Sequence, residues 1–115
     1  MATLHNKTKN SVVAREILEA RSHWSRLKGL LGTNELPLGK TLWIPHCNSI
    51  HTCFMNYAID AIFVDRNLRV RSIQEDLWPW RMTFPDWKAT SVFELPAGTA
   101  KKCAIEIGDQ LHVDP

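Results

Sequence analysis

His46–Ile73 reads HCNSIHTCFMNYAIDAIFVDRNLRVRSI, and the fold turns on how this stretch pairs with itself. Ile50 to Asp65 is the longest strand candidate in the chain, with a bend expected near Asn56-Tyr57. Asp65-Arg66-Asn67 supplies a turn, with Asn67 tolerant of a left-handed backbone, and Leu68 to Ile73 returns as the partner strand of a hairpin. The first arm is unusual for a strand. It carries Cys, His, Met and Asp side chains among its apolar residues, and each polar group needs a partner once buried.

Outward from this hairpin the elements are short. Residues 1–10 are polar and read as a flexible N-terminal segment or short edge strand, which leaves 11–115 as a single domain. Ser11 to Ala20 starts as a strand. Ser22 to Leu31 has helical spacing at Trp24, Leu27, Leu30 and Leu31, with Ser22 as its cap and Gly32 as its stop. Pro37 and Gly39 mark a turn before a strand at Thr41 to Ile44, and Thr90 to Leu95 is another strand. Pro96-Ala97-Gly98 turns the chain into a helical piece over Thr99 to Cys103, and Gln110 to Val113 closes it. The expected fold class is mostly β (α+β): a compact antiparallel, barrel-like sheet with one or two short helices.

Composition removes several function classes. The 115 residues fit one domain, 44% hydrophobic and 23% charged, which is ordinary for a globular chain. The net charge is only +2 and the basic residues are scattered, so no nucleic-acid partner is expected. No apolar run approaches a membrane span, and the first residues hold no signal-like core. Three cysteines do not suit a disulfide framework, so the expectation is a cytoplasmic protein with reduced thiols.

On a regular strand Cys47, Ser49, His51, Cys53 and Met55 would share one side. Thiol, imidazole and thioether suit a soft metal, but ligands two apart on one strand lie roughly 7 Å from each other, so neither a metal nor any other cofactor is expected. Cys47 and His51 would lie about 13 Å apart, too far for a nucleophile and its base. Asp60 interrupts an apolar run and needs a partner if buried, for which Arg26 is the candidate. Glu94, beside Pro96-Ala97-Gly98, either stabilises the turn or serves a site. Trp78, Trp80, Phe84 and Trp87 surround Arg81 and Asp86 in a loop broken by prolines, where rings could cap a barrel end or stack on a ligand.

Several motifs in fixed order carry a family resemblance. They are Ser25-Arg26-Leu27-Lys28-Gly29-Leu30-Leu31-Gly32, Cys47-Asn48-Ser49-Ile50-His51-Thr52, Phe54-Met55, Ile59-Asp60, Phe63-Val64-Asp65, Pro79-Trp80-Arg81, Glu94-Leu95-Pro96-Ala97-Gly98 and Ile107-Gly108-Asp109. Over roughly residues 11–113 the chain resembles the bacterial and archaeal family called domain of unknown function 192. The resemblance implies a compact, mostly β domain and no established activity. Three readings follow. A binding module would use His51, Met55, Asp60 and Glu94 with Trp78, Trp80, Arg81 and Trp87, for a carbohydrate or peptide segment. A small hydrolase-like or metal-dependent enzyme would need His51, Asp60 and Glu94 to converge. A structural accessory of a secretion, envelope or pilus-assembly complex rests on the resemblance alone.

Overall fold

A computed structural model describes residues 2–19, 38–50 and 57–115. The helix expected over Ser22 to Leu31, with Arg26, and the positions of His51, Cys53 and Met55 lie outside these residues. In chain order the elements are β1 (Thr3–Asn6), β2 (Ser11–Ala14), β3 (Glu16–Glu19), β4 (Lys40–Pro45), β5 (Ile59–Val64), β6 (Val70–Leu77), β7 (Ser91–Pro96), helix α1 (Thr99–Lys102) and β8 (Leu111–Asp114). They form a five-stranded sheet in the order β3-β4-β7-β5-β6 and a three-stranded sheet in the order β2-β1-β8. All pairs are antiparallel except β3–β4. The architecture is mostly β with one short helix among the described residues, divided between two sheets rather than closed as a barrel.

β5 and β7 lie inside the larger sheet and are buried on both faces. That is why β5 reads as a nearly continuous apolar run instead of alternating. On one face Ile62, Val64, Phe93 and Leu95 pack against Leu4, Val13 and Leu111 of the smaller sheet and Ala100 of α1. Trp43 stacks on Phe93 there, with ring centroids 5.6 Å apart. On the other face Ile59, Ala61, Phe63 and Val92 pack against Ile50 and Ala89, which belong to loops. Among the described residues, one face of the sheet is thus covered by the smaller sheet and α1 and the other by irregular chain.

The N-terminal segment carries a strand of the small sheet. β1 is the central strand of the small sheet, with Leu4 and Asn6 fully buried. Asn6 donates its Nδ2 to Asp109 Oδ2 at 2.9 Å, which ties the first strand to the last turn. Local polarity concealed this, because β2 is a near neighbour in sequence but the ladder with β8 pairs residues about a hundred positions apart.

The region 46–50 is not strand either. Pro45 ends β4 opposite Ser91, and His46 follows at φ 54°. Irregular chain then bonds to the segment 83–90 in place of a ladder: Cys47 N donates to Thr90 O, Asp86 N to Asn48 O and Thr83 N to Ile50 O. The single-sided arrangement expected of Cys47 and Ser49 therefore does not arise. The hairpin does form, but its first arm starts at Ile59 and its second runs on to Leu77. Asp65 Oδ1 holds the turn through Asn67 N and Arg69 N, and the left-handed residue is Leu68 (φ 62°), not Asn67.

Asp60 organises the junction of these parts. Its side chain is fully buried on the face shared with Ile62. A register shift between Ile59 and Ala61 leaves an extra residue on β6, and Asp76 there adopts φ 50°. The Asp76 N–H donates to Asp60 Oδ1 at 3.0 Å, while Gly98 N and Ala100 N donate to Oδ2 at 3.0 and 2.9 Å. Gly98, at φ 92°, is the cap position of α1 and brings no side chain to cap it. Asp60 supplies that cap from β5. The partner expected for this carboxylate was the Arg26 guanidinium; these three donors are backbone amides.

Asp60→Ala removes the acceptor of three amides at once and should lower the unfolding free energy by roughly 3–5 kcal/mol. Asp60→Asn, which keeps one acceptor oxygen, should lose less. Urea unfolding of the two variants reads this, and a midpoint for Asp60→Ala equal to that of the wild type would show that the carboxylate does not hold the junction.

Candidate functional site

Glu94 lies on β7 opposite Leu42 of β4 and Ala61 of β5. Strand alternation puts it on the Val92 face, the one covered by loops, whereas Asp60 faces the smaller sheet. The sheet therefore separates the two carboxylates expected to share a pocket floor. Asp60 and Glu94 do not converge on one point.

Glu94 is only 5% exposed. Its flanks are apolar, and this burial pushes its carboxyl up to about 7. Cys47 is half-buried in the loop cover and donates its thiol to Ser49 O at 2.9 Å. Burial pushes the Cys47 thiol up, a backbone hydrogen bond of Ser49 opposes this, and the Glu94 carboxylate adds to the rise. A thiol held up in this way is a weak nucleophile at neutral pH. Among the described residues no set of three His, Cys, Asp or Glu side chains is placed to hold a metal.

The aromatic loop is the third component. Trp78, Trp80, Met82, Phe84 and Trp87 are 65, 62, 76, 95 and 83% exposed. The backbone that carries them is fastened from beneath. Buried Thr83 accepts the Ile50 N–H on its Oγ1 at 3.0 Å, and its own N–H reaches Ile50 O at 2.9 Å. Asp86 receives Arg71 Nε at 3.3 Å and the Lys88 N–H at 3.2 Å, and its N–H donates to Asn48 O at 3.0 Å. Trp80 sits at φ 63°, a strained setting for a bulky side chain. The buried Thr83 and Ala89 are small, while the large apolar side chains of the loop are exposed together with Arg81 and Lys88.

Of the residues expected in a site, Trp78, Trp80, Arg81 and Trp87 share one exposed loop. Glu94 lies on the sheet face that the loop side covers, Asp60 serves the core, and His51 and Met55 fall outside the described residues. Thr83 and Asp86 were not singled out as the loop's anchors. For Asp86 the signal was present in Asp86-Trp87-Lys88, because an Asp two residues before an amide makes a local turn.

Glu94→Gln tests the buried carboxyl. A folded-state value near 7 against the ordinary 4.5 means that the folded chain holds a proton the unfolded chain has released. The wild type should therefore lose stability as pH rises from about 4.5 to about 7, by about 3 kcal/mol in all. The Gln variant should lack that slope, so its advantage over wild type should grow between acidic and mildly alkaline pH in urea titrations. Parallel stability curves for the two proteins would show that burial does not hold the proton on Glu94.

Residues 3–113 match the family model of DUF192, described as "Uncharacterized ACR". A UPF0127 protein of Thermococcus sibiricus is 31% identical over 112 residues, covering 94% of this chain and 72% of that protein. A UPF0127 protein of Pyrococcus horikoshii is 40% identical over 63 residues, about half of each chain. Among solved structures, a protein of unknown function from Novosphingobium aromaticivorans is similar with a TM-score of 0.74 at 24% identity, over 96% of this chain and 82% of that one. A protein from Sinorhizobium meliloti reaches the same TM-score at 17% identity, over 97% and 91% of the two chains. Both likenesses speak for the fold alone. With the match running from β1 into β8, this chain belongs to the DUF192 family.

Proposed function

We propose that this protein is a binding module whose recognition surface is the aromatic loop Trp78–Trp87, and that its ligand is a peptide segment. The observation that carries this reading is the exposure of five large apolar side chains on a backbone fastened at Thr83 and Asp86. Isolated exposed apolar residues are ordinary, whereas a concentration of them on one short loop marks an interaction surface. Fastening lowers the ordering entropy that binding would otherwise lose.

A carbohydrate is the other ligand that ring faces suit. Met82 and Phe84 favour the peptide, because they add apolar area without the polar groups that sugar hydroxyls require. An enzymatic reading through Asp60 and Glu94 lacks support, since the two carboxylates face opposite sides of the sheet.

A displayed library of random dodecapeptides, panned beside an oligosaccharide array, tests the proposal. Peptides rich in apolar residues should be enriched, and the array should stay blank. Trp87→Ala should abolish their binding while changing stability by no more than about 0.5 kcal/mol, as expected of an exposed side chain. A loss of about 3–5 kcal/mol would make Trp87 a core residue and remove the reading's main support.

A further inference from the structure

We propose that the concavity beside Trp87 takes carboxylates of the ligand, so that the partner segment is apolar through its middle and acidic at one end. This rests on the aromatic-loop reading. The concavity, about 440 Å3, lies between the β5–β6 turn and the end of the loop, and is lined by Asp65, Arg66, Asn67, Arg71, Lys88 and Thr90. Its acidic groups are already engaged. Asp65 Oδ1 accepts the amides of Asn67 and Arg69, and Asp86, next to the rim, is held by Arg71 Nε, by Ser72 Oγ and by the Lys88 amide.

Two of the cations are not engaged. Arg66 and Lys88 are exposed and form no ion pair among the described residues. Lys88 directly follows Trp87, so an apolar contact and a charge contact are offered side by side. Carboxylates are the matching chemistry for a segment docking here, and such rim charges act mainly on encounter and on choice of partner.

The other end of the loop decides between a segment and an anionic bilayer. Exposed Glu75 and Asp76 lie near the end of β6, with Leu77 between them and Trp78. A flat anionic surface that covered the whole loop would meet those like charges. A segment can place its acids at the Trp87 end and leave the Trp78 end neutral or basic.

The same dodecapeptide panning reads this out by composition. Enriched peptides should carry Asp or Glu clustered to one side of their apolar residues. The double variant Arg66→Gln/Lys88→Gln should weaken a synthetic consensus peptide by about tenfold or more, flatten the salt dependence of its affinity, and melt like the wild type. Apolar peptides enriched without acidic bias, or bound equally by the double variant, would overturn the acidic segment while leaving the aromatic reading intact through Trp87→Ala. No enrichment, or binding indifferent to Trp87→Ala, would overturn both. Co-sedimentation with phosphatidylserine-containing vesicles in the absence of peptide enrichment would place the anion in a lipid headgroup and reject the segment.

Discussion

The Asp60 carboxylate sits where three pieces of chain meet: the bulged end of β6, the turn after β7 and the first turn of α1. Each brings an amide that its own secondary structure leaves unpaired. Asp76 is released by the bulge, and Gly98 and Ala100 belong to a helix start. All three donate to a single side chain on β5. The bond from Ala100 is buried and those from Asp76 and Gly98 are partly so, and leaving these amides without an acceptor costs stability at all three places. Hydrogen bonds to a charged acceptor are also the stronger kind. The apolar packing of Ile62, Leu95 and Ala100 can then close around the junction.

From that junction the rest of the architecture follows through β5 and β7. Two adjacent strands buried on both faces need two covers. The smaller sheet and α1 provide one, anchored by Asn6 and Asp109. The second is built from the chain on either side of the sheet: residues 47–50 and 83–90, joined to each other by backbone hydrogen bonds. Irregular chain can cover a sheet only if its own polar groups are satisfied, and here Thr83, Asp86 and Ser49 do this. The aromatic loop is the outer part of that cover. Its anchors complete the core while its rings face out, so one segment serves both stability and display.

How much of this the sequence disclosed depended on the range of the interaction involved. The hairpin around Asp65-Arg66-Asn67, β7 and the short helix after Gly98 were legible, because turn chemistry and apolar runs are local signals. That Cys47 and Ser49 do not share one side of a strand has a local reason that could have been read. Pro45 cannot extend a ladder, so the polar residues after it belong to a loop. The central place of the N-terminal strand and the partners of Asp60 were not legible. β1 is specified by Leu4 and Asn6 meeting residues near the other terminus, and the amides that Asp60 receives carry no side-chain signature. In the aromatic loop the rings could be read, but their outward direction is set by Thr83 reaching Ile50 across 33 positions.

Asp60 and Glu94 show how the same side-chain chemistry is settled by which way a strand residue points. They lie on neighbouring strands one register step apart, since Asp60 pairs with Leu95 and Glu94 with Ala61. Asp60 faces the junction, where its two oxygens accept three backbone amides. Glu94 faces apolar side chains, where burial pushes its carboxyl up to about 7. A one-residue slip of β5 would turn Asp60 to the opposite face of the sheet, leaving the amides without their acceptor. Asp60 therefore ties the register of β5 to the junction, which its apolar neighbours do not do. That fixed register also sets the position of Ser91, and with it the loop that ends at β7 and carries the exposed rings.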